Sequence, residues 1–263
     1  MDSLFQSETG ADLAPQHARF SGAAHPVAFV TTDHEVKKHL VSRHSGLAVR
    51  WDVTEMENSL GRRLNLAAKR AMDIVGALVG LVLLGPLMII VALAIKATSP
   101  GPVLFKQKRE GINGRIFEAY KFRSMGAEIG DATGVSQTLS NDPRVTSVGR
   151  FIRKTSIDEL PQLFNVLRGD MSLVGPRPHV PGMMAAGRLY KELVPYYDRR
   201  LQMLPGITGW AQVNGLRGST RDPHKARERV DHDLAYIQNF SVWLDVKIIA
   251  LTIVREFVTG NGD

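Results

Sequence analysis

The chain has 263 residues, 44% hydrophobic and 22% charged, which is typical of a globular protein with a sizeable core and excludes a miniprotein. It contains no cysteine, which excludes a disulfide framework, thiol catalysis and zinc sites built on thiolates. The formal net charge of +7 predicts an anionic partner, which could be a nucleic acid, a phospholipid or a phosphorylated substrate.

Residues 1–62 are predicted to form a poorly ordered N-terminal leader, because they are rich in small and polar residues and show no sustained helical period. Five of the eight histidines lie here: His17, His25, His34, His39 and His44. They lack the i, i+4 pairing and the companion carboxylates of a metal site, so no metal site is predicted among them. No signal peptide is predicted, because the apolar stretch comes too late in the chain.

The strongest local signal is an uncharged stretch from Ile74 to Ile95. Its length of about 22 residues gives roughly 33 Å of helix, enough to cross a bilayer. Gly85 and Pro86 interrupt it, and a proline inside a helix kinks or breaks that helix. Basic residues flank both ends: Arg62, Arg63, Lys69 and Arg70 before it, and Lys96, Lys106, Lys108 and Arg109 after it.

These basic flanks favour a re-entrant path, because a simple crossing would place one of them outside the cytoplasm. The prediction is a kinked re-entrant membrane helix over residues 63–97, with both flanks against anionic headgroups. Two alternatives stay open from these features alone. They are a kinked transmembrane helix and, less typical for so long an apolar stretch, a buried core helix.

After Lys96 the pattern becomes a water-soluble mixture of strands and helices. Two strands, Val103 to Lys108 and Arg115 to Phe122, are predicted to form a hairpin around a glycine-containing turn. The elements predicted beyond the hairpin are a polar loop at 126–141 and helices at 148–154, 160–167, 183–194 and 241–258. The last helix could belong to the core, but its broad apolar face favours an interfacial position at a membrane.

The adjacent carboxylates Asp158 and Glu159 have two interpretations. In the structural one they cap a helix, with Asp158 as N-cap three residues before Pro161 or with Ser156 and Glu159 as a capping box. In the functional one, a carboxylate at a helix start and beside Arg153 attacks a phosphoryl group, while its neighbour helps to hold Mg²⁺. Both interpretations place the two carboxylates at a helix N-terminus.

Arg177 stands between Pro176 and Pro178, which fix the backbone on both sides and present a planar donor fork suited to a phosphate. A rigid loop with a solvated arginine is the structural alternative. Taken as single charged residues, Lys121, Arg123 and Asp233 are predicted to lie on the surface. No nucleotide-binding loop, metalloprotease motif or nucleophile elbow is present, which leaves phosphoryl chemistry with a metal.

Several long motifs in fixed order resemble the bacterial sugar transferase family, the monotopic phosphoglycosyl transferases, over about residues 66 to 258. The matching segments are Lys69-Arg70 with Gly85-Pro86, GPVLFKQKREG (101–111), YKFRSM (120–125), DPRVTSVGRFIRKTSIDELPQLFNVLRGDMSLVGPRP (142–178), PGITGWAQVNG (205–215) and DLAYIQNFSVWLDVKII (233–249). The family often has Ser-Pro at the membrane-helix break, where this chain has Gly85-Pro86.

The resemblance implies an α+β, predominantly helical, monotopic membrane protein with a re-entrant helix, a small β-hairpin, interfacial helices and a cytoplasmic catalytic domain at residues 98–263. It implies transfer of hexose 1-phosphate from a UDP-sugar to undecaprenyl phosphate at the bacterial inner membrane, with release of UMP, to start exopolysaccharide, capsule or O-antigen synthesis. Glucose or galactose is the expected hexose, with the motifs nearer to the glucose type. No oligomeric state is predicted.

Residue roles also follow from the resemblance. Asp158 matches the nucleophile that forms a covalent phosphosugar intermediate, Glu159 matches its acidic partner, and both are expected at the Mg²⁺. The substrate- or phosphate-binding positions are Arg153, Arg177, Lys121, Asp233, Pro176 and Pro178. Two alternatives are a catalytically silent membrane-anchored scaffold and a basic nucleic-acid-binding protein, although no nucleic-acid motif supports the latter.

Overall fold

The computed structural model describes residues 60–126 and 142–259. The predicted leader lies outside the described residues except for its last three positions, and the predicted polar loop except for Gly126. The five leader histidines are therefore outside the described residues, and the prediction about them is untested.

The predicted membrane segment forms one long helix, α1, over Leu60–Thr98. Alanine, leucine and methionine favour the helical backbone here, and the helix assignment continues through Pro86 without a break. It is the one helix in the described part of the chain that is long and apolar enough to cross a membrane. Because only length and composition carry that statement, a kink at Gly85-Pro86 and a re-entrant path remain predictions.

A β-hairpin follows α1 and confirms the sequence prediction. Strands β1 (Leu104–Glu110) and β2 (Ile116–Phe122) pair antiparallel, and a 3₁₀ turn over Ile112–Gly114 joins them. The buried guanidinium of Arg123, directly after β2, donates to the carbonyls of Ser99 and Pro100 beyond the end of α1. The prediction of Arg123 as a surface residue is therefore wrong, since this side chain ties the hairpin to the helix end.

The remaining elements form the rest of the domain. In chain order they are α2 (Ser147–Lys154), α3 (Gln162–Arg168), β3 (Ser172–Val174), β4 (Met184–Ala185), β5 (Arg188–Leu189), α4 (Tyr190–Leu193), β6 (Gly206–Thr208), α5 (Trp210–Val213), α6 (Pro223–Gln238) and α7 (Val242–Thr259). Strands β3 and β6 pair parallel, and β4 and β5 pair antiparallel. The predicted helices at 148–154, 160–167 and 241–258 correspond closely to α2, α3 and α7.

The predicted helix over 183–194 is wrong. The chain reverses between β4 and β5 through Ala186 (φ 48°) and Gly187 (φ 77°), and only α4 at the end of the segment is helical. Two consecutive residues in the left-handed region turn the chain back on itself, which an α-helix cannot accommodate. The amide of Ala186 is used elsewhere, because it donates to the carbonyl of Thr220.

Helix α6 was not predicted, although the sequence carries a start signal for it. The Asp222 side chain accepts a hydrogen bond from the His224 amide at 2.8 Å, and Pro223 occupies the first turn. An aspartate N-cap followed by proline is a strong indicator of a helix beginning. This helix carries Asp233 into the interior of the domain.

One face of α1 packs along the domain. In its N-terminal half Lys69, Asp73 and Ala77 are buried against α3 and β3, and in its C-terminal half Val91 and Ile95 are buried against β2 and α2. The opposite face is apolar and exposed: the exposed side chains include Val75, Leu78, Val79, Val82, Leu83, Ile89, Ile90 and Leu93. Both halves of the apolar helix thus contact the same domain.

The sequence predicts that the basic residues flanking the apolar helix face lipid headgroups. Two of them, Lys69 and Arg70, instead contact the domain. Lys69 is 3% exposed, and its ammonium forms an ion pair with Asp245 at 2.6 Å. The Arg70 guanidinium donates to the carbonyls of Val166 and Leu167 near the end of α3, at 2.7 and 3.0 Å. Both charges are used in contacts with the domain, because α1 packs against α3, β3 and α7 from Lys69 onward.

Candidate active site

The two carboxylates lie in a short 3₁₀ turn, Ile157–Glu159, between α2 and α3. The chain leaves α2 and turns at Ser156, which has a left-handed backbone (φ 54°). Both capping interpretations are wrong: Pro161 occupies the N-cap of α3 without a side-chain bond, and the Ser156 side chain does not cap the turn. The turn brings both carboxylates close to charged side chains of β2, of α2 and of the loop after β3.

Glu159 is the partner of two cations. Its Oε1 accepts from Lys121 Nζ at 2.7 Å and from Arg177 Nη2 at 2.7 Å, and its Oε2 accepts from Arg177 Nη1 at 3.3 Å. Burial works to raise the pKa of Glu159, but the charges of Arg177 and Lys121 outweigh it and hold the pKa well below its usual range. Glu159 is therefore a fixed anion that joins β2 to the loop after β3.

Asp158 has a different environment. It is partly exposed, and no hydrogen bond to its carboxylate occurs in the part of the chain that the structure describes. Burial raises its pKa to about 6, with Lys121 opposing the shift, Glu159 adding to it, and Arg153 and Arg177 opposing it. The two neighbouring carboxylates therefore differ: Glu159 is an anion bound by two cations, whereas Asp158 has no such bond among the described residues and has a pKa of about 6.

The loop that carries Arg177 is held from both sides. Pro176 and Pro178 are buried, and the carbonyls of Arg177 and Pro178 accept from Arg200 at 2.5 Å and from Arg109 at 2.9 Å. The two prolines make the backbone of this loop rigid, and because a proline side chain has no polar group, their expected role at the substrate acts through the backbone and stays a prediction. The guanidinium of Arg177 is directed at the dyad by this arrangement.

Sequence reasoning missed Arg109 as a site residue. Burial and the nearby charge of Arg177 lower its pKa to about 10, against the opposing charge of Glu159. Arg109 therefore lies within electrostatic reach of the dyad as well as clamping the Arg177 loop. Its place in the GPVLFKQKREG motif was the available signal, but the contact with Pro178 joins residues far apart in the chain.

The sequence context of Asp233 predicts a surface position, and this prediction is wrong. It is 2% exposed on α6 and accepts from Arg200 Nε at 2.9 Å and Arg200 Nη2 at 2.8 Å. Among the substrate-binding positions expected from the resemblance, the structure brings Lys121 and Arg177 to Glu159, with the charge of Arg153 close enough to affect Asp158. Asp233 is connected to that group through Arg200.

Comparison with known proteins identifies the family of this chain. The family model described as bacterial sugar transferase matches residues 64–259. This chain belongs to the bacterial sugar transferase family. The expected resemblance is thereby confirmed over nearly the same range of residues.

Individual relatives are similar over the same region. The exopolysaccharide production protein PSS of Rhizobium leguminosarum bv. phaseoli is 53% identical over 199 residues, which are 76% of this chain and all of that protein. An undecaprenyl-phosphate glucose phosphotransferase of Komagataeibacter xylinus is 53% identical over 75% of this chain and 37% of its own length. A UDP-glucose:undecaprenyl-phosphate glucose-1-phosphate transferase of Escherichia coli is 50% identical over 74% of this chain and 41% of its own length.

The site of this family member fits the predicted Mg²⁺ only in part. Both oxygens of Glu159 already accept from cationic side chains, so Glu159 does not fit as a metal ligand. No cluster of three or more potential metal ligands occurs among the described residues. Asp158 is the carboxylate left to face a metal, and Mg²⁺ commonly takes one carboxylate together with phosphate oxygens and water.

Proposed function

We propose that this protein transfers hexose 1-phosphate, with glucose as the hexose, from a UDP-sugar to undecaprenyl phosphate and releases UMP. Membership of the bacterial sugar transferase family and the names of relatives from three bacteria support this reaction. Relatives named for N-acetylgalactosamine and galactose also match the chain, so other hexoses belong in the test. The product would begin exopolysaccharide, capsule or O-antigen assembly.

The observation that carries the proposal is the contrast between the two carboxylates. A nucleophile needs an ionised, accessible carboxylate that is not already used in an ion pair. Asp158 meets that description, because it is partly exposed and its pKa of about 6 leaves it largely ionised at neutral pH. Glu159 does not, because Lys121 and Arg177 bind both of its oxygens.

The reaction then consists of two displacements at one phosphorus. A carboxylate oxygen of Asp158 attacks the β-phosphorus of the donor, the bond to the UMP oxygen breaks with its electron pair, and UMP leaves. A phosphate oxygen of the acceptor attacks the same phosphorus, the bond to Asp158 breaks, and the free carboxylate returns. Arg153, Lys121 and Arg177 lie around the dyad and would balance the negative charge of both steps.

The proposed Mg²⁺ would accompany the diphosphate and neutralise part of its charge, with Asp158 as its protein contact. Glu159 has another role in this scheme. By holding Lys121 and Arg177 at 2.7 Å, it fixes two cations beside the nucleophile. The same two cations keep Glu159 from taking the nucleophile's place.

A lipid-linked acceptor requires the site to reach a membrane surface. The exposed apolar face of α1 suits contact with lipid, and α7 adds an outward Trp243 that is 78% exposed. Because both halves of α1 pack on one domain, a monotopic arrangement explains the helix better than a complete crossing does. We therefore place the protein at the inner membrane, with its catalytic domain on the cytoplasmic face where UDP-sugars occur.

The test uses detergent-purified protein, undecaprenyl phosphate, Mg²⁺ and a series of UDP-hexoses. We expect UMP release with UDP-glucose, and rapid quenching with donor labelled in the hexose phosphate should leave label on the polypeptide. Asp158→Asn should abolish both signals, whereas Asp198→Asn, at an exposed aspartate paired with Lys191, should preserve them. Lipid product without labelled polypeptide would contradict the covalent step, and no turnover with any donor would favour the silent scaffold.

A further inference from the structure

Arg200 is the most deeply buried cation near the site, and it lies outside the dyad. Its side chain is 1% exposed, and its Nε and Nη2 donate to the Asp233 carboxylate at 2.9 and 2.8 Å. Burying such a pair is costly unless its hydrogen bonds are well satisfied. Here the guanidinium also donates to the Arg177 carbonyl and, from Nη1, to the Tyr197 hydroxyl at 3.4 Å.

The Arg177 carbonyl connects this buried pair to the dyad. Arg200 Nη2 approaches it to 2.5 Å, while the guanidinium of the same Arg177 binds Glu159. The next carbonyl, that of Pro178, is held by Arg109. Because the backbone is fixed at two successive residues, the direction in which the Arg177 side chain leaves the loop is fixed as well.

We propose that Arg200, oriented by Asp233, is a positioning residue that aims Arg177 at Glu159 and at the donor phosphate. The inference rests on the proposed function, which gives Arg177 a phosphate to bind. In the described part of the chain, neither Arg200 nor Asp233 bonds to either carboxylate of the dyad, so both act through Arg177. A planar fork can hold Asp233 and a carbonyl at once, which a lysine ammonium cannot do with the same geometry.

The first test is a double-mutant cycle between the buried pair and Arg177. Arg200→Gln combined with Asp233→Asn removes both charges and leaves no unpaired buried ion. We expect kcat/KM for UDP-glucose to fall by about 10- to 100-fold, because a small displacement of a phosphate-binding group weakens transition-state contacts. Adding the same two changes to Arg177→Gln should cost no more than about twofold further. Losses that multiply would overturn the inference.

A matched control comes from α6, the helix that carries Asp233. Arg229 of this helix is a buried arginine, but it donates to the carbonyls of Leu216 and Gly218 in a different loop. Arg229→Gln should lower the melting temperature and leave KM for UDP-glucose unchanged. If it reproduced the full effect of the Arg200 variant, the loss would reflect general destabilisation and the positioning role would be wrong.

The split between KM and kcat gives a readout that a purely structural role would not move. If the Arg200 variant lets Arg177 move away, its guanidinium contacts the donor phosphate less well, and KM for UDP-glucose should rise. A smaller fraction of folded protein would instead lower the apparent kcat and leave KM in place. An unchanged KM would contradict the proposal.

Two outcomes separate this inference from the proposed function. A wild-type protein that turns over no UDP-hexose would refute the proposed function, whereas an active wild type with multiplying losses would refute only the positioning role. If the double variant does not fold, Arg200→Lys is the second test, because it keeps the charge beside Asp233 and removes the planar fork. Wild-type kcat/KM in a folded Arg200→Lys protein would overturn the inference.

Discussion

At the residue scale, Asp158 and Glu159 show that adjacent carboxylates acquire different properties from their contacts. Glu159 accepts from two cations at 2.7 Å, whereas burial leaves Asp158 with a raised pKa of about 6. If the two carboxylates had equal environments, they could not supply both a fixed counter-charge and a nucleophile. Separation of the two pKa values is the physical basis for assigning two roles.

This separation predicts the acid limb of the pH profile. We expect kcat/KM to rise with pH through an apparent pKa of about 6, because the proposed nucleophile must lose its proton. Lys121→Met should move this limb to higher pH, since the Lys121 charge lowers the pKa of Asp158. Lys106→Met, on the same hairpin but exposed and paired with Glu118, should leave the limb in place. A pH profile measured with saturating acceptor checks both variants.

The raised pKa of Asp158 also predicts a stability effect. A carboxyl group whose pKa is higher in the folded protein than in the unfolded chain stabilises the fold when protonated, and this contribution is lost as pH rises through about 6. At pH 7, Asp158→Asn should therefore unfold at a higher temperature than wild type. Its free energy of unfolding should exceed that of wild type by at most about 3 kcal/mol. The difference should disappear below about pH 4. A lower melting temperature for Asp158→Asn at pH 7 would contradict the raised pKa of Asp158.

At the scale of elements, a buried lysine connects the apolar helix α1 to the loop that carries Arg177. Lys69 of α1 binds Asp245 of α7 and donates to the carbonyl of Val174 at the end of β3. Tyr236 of α6 donates to the same carboxylate at 2.6 Å and to the same carbonyl at 3.2 Å. Strand β3 leads directly into the loop of Arg177, so four elements meet at its base.

Removing one partner of this ion pair should be strongly destabilising. We expect Lys69→Met to lower the free energy of unfolding by about 3–5 kcal/mol, because it leaves the Asp245 carboxylate buried without its cation. Adding Asp245→Asn should restore part of the loss, since no buried charge then remains. Lys96→Met, at an exposed lysine near the other end of α1, should change stability by less than about 0.5 kcal/mol. Unfolding in detergent measures all three, and equal effects of Lys69→Met and Lys96→Met would refute the buried role of Lys69.

At the scale of the whole molecule, α1 combines a buried face and an apolar exposed face along its length. Residues 69 and 95, both buried against the domain, are about 39 Å apart along a straight helix, which exceeds the hydrocarbon thickness of a bilayer. A simple crossing would require the same domain to follow the helix through the membrane. The proposed monotopic arrangement avoids that requirement and keeps both ends on one side.

The absence of cysteine makes this arrangement directly testable. Gly61→Cys and Ala97→Cys place single thiols at exposed positions near the two ends of α1. In intact cells whose outer membrane has been permeabilised, an impermeant maleimide should label neither, and both should react once the inner membrane is opened. Labelling of only one end before opening would indicate a complete crossing and overturn the re-entrant path. A cysteine-free wild type supplies the background.

The elements predicted correctly are those whose pattern is local. The hairpin around Gly111 to Gly114 and the helices α2 and α7 follow from turn residues and from the spacing of apolar side chains. The segment at 183–194 has comparable helical spacing, but its left-handed pair Ala186 and Gly187 forms a turn that hydrophobic periodicity does not encode. Helix α6 shows the reverse, because its N-cap signal was present in the sequence and its polar composition obscured it.

By itself the sequence determined the apolar helix, the positions of Asp158 and Glu159, and, through its ordered motifs, the family. Only the tertiary structure decided which carboxylate is free, because Lys121 and Arg177 reach Glu159 from 38 residues before it and 18 residues after it. It also showed that Asp233, for which the local sequence predicts a surface position, is the buried partner of Arg200. Ion pairs between distant residues depend on how β2, α6 and the Arg177 loop pack together, and no local pattern of residues specifies that packing.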